Sequence, residues 1–252
     1  MSAPGALPQP PDSPGETTMG NFVRIPAGPD QSYEAWLEEP SVSRFPGPRP
    51  AVIVLPEIYN VNEWARGVAR RYAEAGFVVL VPDLFWRLEA GQYLPYTPEA
   101  QQKGRALYAR LDVDASVRDI DSALTWLRAR PDSNGKAGVV GFCLGGQLAF
   151  LSGIDATPDA VVSYYGTDLH KFLDRVPQLR VPAVLHFGET DTRVPASLAE
   201  EIDRHKLPQQ DLVTVVHPDA PHGFSRTGYE PFRAEADARA YGQTLSLFAR
   251  TL

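Results

Sequence analysis

The only cysteine in the chain of 252 residues lies in a segment that could make it a nucleophile. The segment GFCLGG (141–146) follows an apolar run and precedes a helix-like run. It is typical of a tight strand-to-helix turn in which the central side chain faces a cleft and the flanking positions have no room for a Cβ. The positive end of the following helix would stabilise a thiolate at Cys143, and the Leu144 amide would face a developing oxyanion. A buried structural cysteine is the alternative, and the flanking glycines favour the nucleophile.

A thiol nucleophile needs a base, and the base needs an acid to orient it. In folds with this type of turn both partners follow the nucleophile in the chain, the acid before the histidine. His222 is the favoured base among the five histidines because it lies in a turn shortly after an apolar strand. Asp191, which follows the strand AVLHF, is the favoured acid, and Glu189 in the same loop is the alternative. His186 lies within that strand and is expected to point into the core or a helix layer.

Apolar runs alternate along the chain with segments whose apolar residues recur every three or four positions. Runs that are apolar almost throughout predict strands buried on both faces. Six such runs are present: AVIVL (51–55), FVVLV (77–81), AGVVG (137–141), AVVSYY, PAVLHF and DLVTVV. The mixed segments NFVRI and SYEAWL predict antiparallel strands at a sheet edge. Helices are predicted from Asn62, from Thr97, over 113–127 and near the C-terminus, and a turn is predicted at 133–135.

This alternation predicts an α/β fold of three layers, with a mostly parallel central sheet and helices on both faces. In such sheets the chemical groups gather at the carboxyl ends of the strands. Residues 21–252 contain no internal repeat or linker and are predicted to form a single domain. Residues 1–20 are rich in Pro, Gly, Ser and Thr and predict a disordered tail rather than a secretory signal, so a cytoplasmic location is expected.

Charge and composition argue against several classes of protein. The formal net charge of −7 disfavours nucleic-acid binding, which requires a clustered basic surface. No window approaches the roughly 18 consecutive apolar residues of a membrane span. A single cysteine excludes an internal disulfide and a cysteine-based zinc site, and no metal site is expected. Nothing in the sequence indicates an interface, so a monomer and an oligomer both remain open.

Four segments together resemble the dienelactone hydrolases (carboxymethylenebutenolidases), the cysteine-nucleophile branch of the α/β-hydrolases. They are GFCLGG with Cys143, GETDTRVP with Asp191, PHGFSRT with His222, and LPEI after the first buried strand. The similarity extends from about Asn21 to the C-terminus. The resemblance implies the three-layer α/β-hydrolase fold and a reaction that needs no metal and no cofactor.

The resemblance also implies roles for five further residues. Glu57 matches the glutamate that contacts the resting thiol and helps to deprotonate it when substrate arrives. The amides of Ile58 and Leu144 match the pair that forms the oxyanion hole. Arg87 in PDLFWR and Arg226 in HGFSR match the two arginines that hold the carboxylate of the substrate.

The expected reaction is hydrolysis of a carboxylate-bearing unsaturated lactone, or of a small activated ester, through an acyl-enzyme. The partner is therefore a small anionic substrate. Gly223 stands where the family often has serine, and the segment between Arg87 and Tyr108 has no clear match, so the particular lactone is not implied. Whether Glu57 or His222 deprotonates the thiol is open. A general carboxylesterase on the same scaffold and a non-catalytic ligand-binding protein are the alternatives.

Overall fold

A computed structural model describes residues 20–252, so residues 1–19 of the predicted tail lie outside the described residues. Eight strands form one sheet in the spatial order β1-β2-β4-β3-β5-β6-β7-β8. The strands are β1 (Asn21–Pro26), β2 (Ser32–Glu38), β3 (Arg49–Leu55), β4 (Val78–Pro82), β5 (Ser133–Phe142), β6 (Ala160–Tyr164), β7 (Ala183–Gly188) and β8 (Leu212–His217). The helices are α1 (Glu63–Glu74), α2 (Trp86–Glu89), α3 (Pro98–Tyr108), α4 (Val113–Arg128), α5 (Leu144–Asp155), α6 (Ser197–His205) and α7 (Ala234–Thr251), with a 3₁₀ segment over Leu169–Gln178.

The sheet is parallel except at one edge. β1 pairs antiparallel with β2, and β2 pairs antiparallel with β4, whereas β3 to β8 pair in parallel throughout. The mostly parallel sheet and the antiparallel pair at its edge confirm the sequence prediction. The parallel order directs the carboxyl ends of β3, β5, β7 and β8 to the same edge of the sheet, where their loops meet.

Helices cover both faces of the sheet, which is why its central strands are apolar on both sides. On one face α1 and α7 contribute Trp64 and Phe248 to an apolar cluster that includes Val54 of β3. On the other face α3 to α6 form a second cluster, in which Leu124 of α4 lies with Ile53 of β3. The predicted α/β class with three layers is therefore confirmed. Within residues 20–252 no helix combines the length and the apolarity that crossing a membrane requires.

The predicted helix starts at Asn62 and Thr97 are confirmed by their side-chain hydrogen bonds. Asn62 Oδ1 accepts from the Ala65 amide at 3.0 Å, and Thr97 Oγ1 accepts from the Ala100 amide at 3.2 Å. Each bond satisfies a backbone donor that the first turn of a helix leaves free. The caps therefore fix where α1 and α3 begin, and both helices pack beside the loop that follows β3.

The predicted turn at 133–135 is wrong, because β5 already begins at Ser133. Ser133 pairs with Arg49 of β3, and the register then shifts before the next pair, Ala51 with Ala137. Gly135, with φ of +83°, lies within this irregular stretch. The turn-forming residues thus produce a bulge inside a strand rather than a break before it.

Candidate active site

Cys143 occupies a strained turn between β5 and α5. Its φ of +56° and ψ of −115° are unusual for a residue with a side chain and cost on the order of 1–3 kcal/mol. Hydrogen bonds on both sides hold this conformation: the Cys143 amide donates to the Tyr164 carbonyl at 3.0 Å, and the Cys143 carbonyl accepts from the amides of Gln147 and Thr167 at 3.2 and 3.1 Å. The backbone is therefore fixed where the thiol leaves it. The Cys143 residue is 4% exposed.

The glycines around Cys143 are needed because strand and helix approach each other closely. A Cβ on Gly141 would overlap the carbonyl of Gly145, and a Cβ on Gly145 would overlap the carbonyl of Leu55. A Cβ on Gly146 would lie 2.7 Å from the hydroxyl oxygen of Ser163. The structure therefore contains the strand-to-helix turn that the pattern GFCLGG predicts, with backbone atoms of β3 and α5 in direct contact.

His222 is oriented by Asp191 at the ends of β7 and β8. Its Nδ1 lies 2.8 Å from Asp191 Oδ2, and the Asp191 side chain is completely buried. The other carboxylate oxygen accepts from the amides of Arg193 and Val194 at 2.7 and 3.0 Å. Glu189 instead accepts from the amide of Asp219. The structure thus brings His222 to Asp191 and not to the alternative acid.

The opposite nitrogen of His222, Nε2, is buried and makes no hydrogen bond within residues 20–252. Burial disfavours an imidazolium and lowers the pKa of His222, but the negative charge of Cys143 and the hydrogen bond with Asp191 outweigh burial and raise that pKa to about 9. The raised pKa favours a proton on the imidazole near pH 7, and a protonated imidazole is a group that can stabilise a neighbouring thiolate.

The two backbone amides that the resemblance assigns to an oxyanion hole are those of Ile58 and Leu144. Neither the Ile58 amide nor the Leu144 amide donates a hydrogen bond to another group in residues 20–252. Leu144 is the first residue of α5, so its amide also benefits from the positive end of that helix. α3 packs closely on the other side, since a Cβ on Gly104 would lie 2.5 Å from the Ile58 carbonyl oxygen. Both amides are therefore available to donate, as the oxyanion hole implied by the resemblance requires.

Glu57 is buried beside the site and is bound by two other side chains. Its carboxylate oxygens accept from Arg226 Nε at 2.8 and 3.0 Å, and from the Tyr96 hydroxyl at 3.0 Å. Burial lowers the pKa of Arg226, but the charge of Glu57 outweighs it and the net shift is upward. Within residues 20–252 Glu57 makes no hydrogen bond to Cys143.

Arg87 and Arg226, the expected pair of carboxylate-binding arginines, have different partners in this structure. Arg87 donates from Nε and Nη2 to the two carboxylate oxygens of Asp119 on α4, at 3.1 and 2.7 Å. Its guanidinium also lies over the Trp86 ring, 4.1 Å from the centroid. Arg87 and Arg226 share no hydrogen-bond partner and no aromatic contact. The reason is that the short α2 directs Arg87 towards α4, where Asp119 binds it through two hydrogen bonds.

Three tyrosines at the site have no assigned role in the sequence interpretation. Tyr96 binds Glu57 as described. Tyr165 is completely buried, with its ring centroid 5.0 Å from that of His222. The Tyr108 hydroxyl lies 2.5 Å from Gln147 Oε1 and 2.8 Å from Asp168 Oδ2. The one available signal was the density of aromatic residues in the unmatched segment before Tyr108, which gives no indication of what they contact.

His186 and His217 form a buried pair beneath the loop that carries His222. Nδ1 of His186 and Nε2 of His217 are 3.1 Å apart, and their other ring nitrogens are buried without hydrogen bonds in residues 20–252. Burial lowers the pKa of both, to about 4 for His217 and well below the usual value for His186. Both rings are therefore neutral near pH 7. Residues 20–252 contain no group of three or more His, Cys, Asp or Glu side chains placed to hold a metal ion.

This pair predicts a loss of stability in mild acid. A histidine whose pKa is lowered by folding stabilises the folded state fully above the unfolded pKa of about 6.5, and that stability falls as the pH approaches the folded pKa. We expect the free energy of unfolding to fall below pH 6.5 by about 1.4 kcal/mol per pH unit for each neutral histidine. Urea titrations between pH 7 and pH 4 measure this. His217→Gln should reduce the slope, and the exposed control His205→Gln should not; equal slopes in both would contradict the assignment.

Comparison with known proteins adds four findings to this geometry. The family model described as the dienelactone hydrolase family matches residues 34–252. The carboxymethylenebutenolidase of Pseudomonas putida is 34% identical over 203 residues, which cover 80% of this chain and 86% of the relative. A putative carboxymethylenebutenolidase of Azospirillum brasilense is 31% identical over 238 residues, covering 91% and 98%. The crystal structure of a putative dienelactone hydrolase from Klebsiella pneumoniae matches with a TM-score of 0.79 at 24% identity, over 91% of this chain and 98% of that one.

Proposed function

Because the chain belongs to the dienelactone hydrolase family, whose members act on ester bonds, we propose that it hydrolyses a carboxylate-bearing unsaturated lactone or a small activated ester through an acyl-enzyme on Cys143. One observation carries the proposal. The imidazole of His222 is buried, its Nδ1 is held by Asp191, and its surroundings raise its pKa to about 9. The membership of a hydrolase family weighs against the alternative of a non-catalytic binding protein.

In the proposed first step the Cys143 thiolate attacks the carbonyl carbon of the ester. A C–S bond forms, and the amides of Ile58 and Leu144 stabilise the negative charge on the carbonyl oxygen. When the intermediate collapses the C–O bond breaks, and the leaving oxygen takes the proton from His222 Nε2. With a lactone this step opens the ring and leaves both halves attached to Cys143 as a thioester.

In the second step water replaces the sulfur. Neutral His222 takes a proton from a water molecule at Nε2, and the resulting hydroxide attacks the thioester carbonyl. The C–S bond breaks, and the thiolate re-forms beside the protonated imidazole. We propose His222 rather than Glu57 as the group that holds the thiol proton, because Arg226 and Tyr96 already bind the Glu57 carboxylate.

The substrate carboxylate is proposed to bind Arg226. Only Nε of this guanidinium contacts Glu57, and the two terminal nitrogens make no hydrogen bond within residues 20–252. A cavity of about 330 Å³ adjoins them and is lined in part by Tyr59, Tyr96 and Tyr229. The Arg226 carbon Cζ lies 5.6 and 5.1 Å from the ring centroids of Tyr59 and Tyr96. A small planar anion fits such a site, because the arginine binds its charge and the rings pack against its apolar part.

Replacing Arg226 by lysine separates a carboxylate-specific enzyme from a general esterase. Lysine can keep a positive charge beside Glu57. It lacks the two terminal guanidinium nitrogens that are proposed to bind the substrate, so a charge-assisted hydrogen bond to the substrate carboxylate is lost. We expect KM for a carboxylated lactone or ester to rise about 10- to 100-fold in Arg226→Lys, with a much smaller change for a neutral aryl ester. The measurement is steady-state kinetics on both substrates.

Arg87→Lys is the matched control for this experiment. Because Asp119 already binds the Arg87 guanidinium through two hydrogen bonds, replacing Arg87 should leave KM for both substrates within about twofold. An equal loss on carboxylated and neutral substrates in Arg226→Lys would favour the general carboxylesterase. A loss in Arg87→Lys confined to the carboxylated substrate would restore the pair of arginines that the sequence interpretation expected.

The proposed function as a whole is tested by turnover on a small panel. The panel contains an unsaturated lactone with a carboxylate, the same lactone as its methyl ester, and two aryl acetates. The proposal expects the highest kcat/KM for the first substrate. Absence of turnover on every member of the panel would contradict the proposal.

A further inference from the structure

A second cavity, of about 450 Å³, lies between α1, α7 and the loop 225–229. Tyr229 lines both this cavity and the one beside Arg226, and no other side chain assigned above to catalysis or to carboxylate binding lines it. Its walls nevertheless include Phe142, which precedes the nucleophile, and four of the five residues of the loop 225–229, the fifth being Arg226 itself. A ligand in this cavity would therefore contact segments that the catalytic site also uses, without contacting Cys143, which does not line the cavity.

The walls of the cavity are mainly aromatic. Trp64 and Phe142 meet edge to face with centroids 5.1 Å apart, and Tyr72 and Tyr241 lie 5.2 Å apart. The ring of Tyr164 packs 4.6 Å from that of Phe142. All five side chains line the cavity. Aromatic walls that enclose a volume of this size favour a planar aromatic ligand, since ring edges and ring faces attract each other.

One end of the cavity is lined by two arginines, Arg70 and Arg71, and one carboxylate, Asp237, which together leave one formal positive charge. Arg71 donates from Nη1 to Asp237 at 2.8 Å and lies 3.6 Å from the centroid of the Tyr241 ring, and its remaining nitrogens make no hydrogen bond within residues 20–252. Arg70 lies beside it and makes no ion pair with the described residues. The acidic Glu63 also lines the cavity, but it lies eight residues earlier on α1, about 12 Å along the helix axis. An anionic group would thus bind at the arginine end.

We propose that this cavity is a binding site for a planar aromatic carboxylate. The ring lies among the aromatic walls, and the carboxylate accepts hydrogen bonds from the free nitrogens of Arg71 and from Arg70. The site is distinct from the carboxylate site at Arg226. It does not depend on the reaction at Cys143, so the proposal stands or fails independently of the proposed function.

Gly67 provides a way to close the cavity without disturbing the fold. It lies on α1 between Glu63 and Arg71, all three line the cavity, and a Cβ at Gly67 meets no atom within 4 Å. A leucine there would project over the cavity and would also favour the helix. Gly242 on α7 is the matched control, because it is another exposed helical glycine with no atom near an added Cβ, and it does not line the cavity.

The test is calorimetric titration of 2-naphthoate into the unmodified protein, Gly67→Leu and Gly242→Leu. We expect saturable binding to the unmodified protein, at least a tenfold loss in Gly67→Leu, and a change of less than about twofold in Gly242→Leu. Both variants should hydrolyse a neutral aryl ester as the unmodified protein does. Absence of saturable binding, or equal affinity in Gly67→Leu and Gly242→Leu, would overturn the proposal.

The carboxylate part of the proposal is tested with a second ligand. We expect 2-naphthol, which has the same ring system without the carboxylate, to bind the unmodified protein at least tenfold more weakly than 2-naphthoate. Equal binding of the two would show that the arginines make no contribution and would overturn the assignment of the ligand as an anion. Both measurements detect binding alone, so neither outcome depends on turnover.

Discussion

Cys143→Ala is expected to lower kcat/KM by about a thousandfold or more on every substrate that the protein turns over. The reason is that the thiolate forms the bond to the substrate, and no other group at this turn can replace it. Alanine tolerates the positive φ no worse than cysteine does, so the free energy of unfolding should change by about 1 kcal/mol or less. Steady-state kinetics and a urea titration of the same preparation measure both quantities.

The stability of Cys143→Ala is measured because it shows whether the loss of activity comes from the missing sulfur or from a damaged fold. A loss of activity with unchanged stability assigns the effect to the sulfur and not to a damaged fold. Cys143→Ala that keeps more than about a tenth of the activity would contradict covalent catalysis by this residue. The buried His222 would then be left as a general base acting on water alone.

Asp191→Asn is expected to lower kcat/KM by about two to four orders of magnitude. The amides of Arg193 and Val194 donate to Asp191 Oδ1, so an asparagine must keep its oxygen there and turn its NH₂ group towards His222. His222 Nδ1 would then have to accept a hydrogen bond, which leaves the proton on Nε2 and removes the base. The measurement is kcat/KM as a function of pH.

The pH profile provides a second readout for the same variant. The hydrogen bond with Asp191 is one of the interactions that raise the pKa of His222 to about 9, so Asp191→Asn should move that pKa downwards. Glu189→Gln is the matched control, because Glu189 binds the Asp219 amide at the protein surface and should be close to neutral for activity. A large loss in Glu189→Gln together with a small loss in Asp191→Asn would show that the acid is assigned wrongly.

Much of the fold and the central part of the site could be predicted because their determinants are local. The six residues of GFCLGG contain both the glycines that let strand and helix approach closely and the Cys143 side chain that lies at the turn between them. Asp191 and His222 each follow an apolar strand, and the parallel order of the strands brings those loops to one edge of the sheet. Runs such as AVIVL predict buried strands because both of their faces are covered by helices.

Other features could not be predicted because they depend on contacts between residues that are far apart in the sequence. Nothing near Arg87 in the sequence indicates that Asp119, 32 residues later, binds it. Glu57 and Arg226 are 169 residues apart, so their ion pair is visible only once the loops after β3 and β8 have been placed. The bulge around Gly135 arises from pairing with Arg49 of another strand, which local turn propensity does not include.

The proposed mechanism requires an acyl group on Cys143 during turnover, and this thioester can be trapped. The protein is mixed with an excess of an activated ester, quenched in acid during turnover, digested and analysed by mass spectrometry. In the unmodified protein we expect the added acyl mass on the peptide that contains Cys143. The adduct should be absent from Cys143→Ala. It should be more abundant in Asp191→Asn if that variant removes the acyl group more slowly than it adds it. Continued turnover with no adduct on Cys143, or an adduct on another residue that forms and decays at the catalytic rate, would contradict the account.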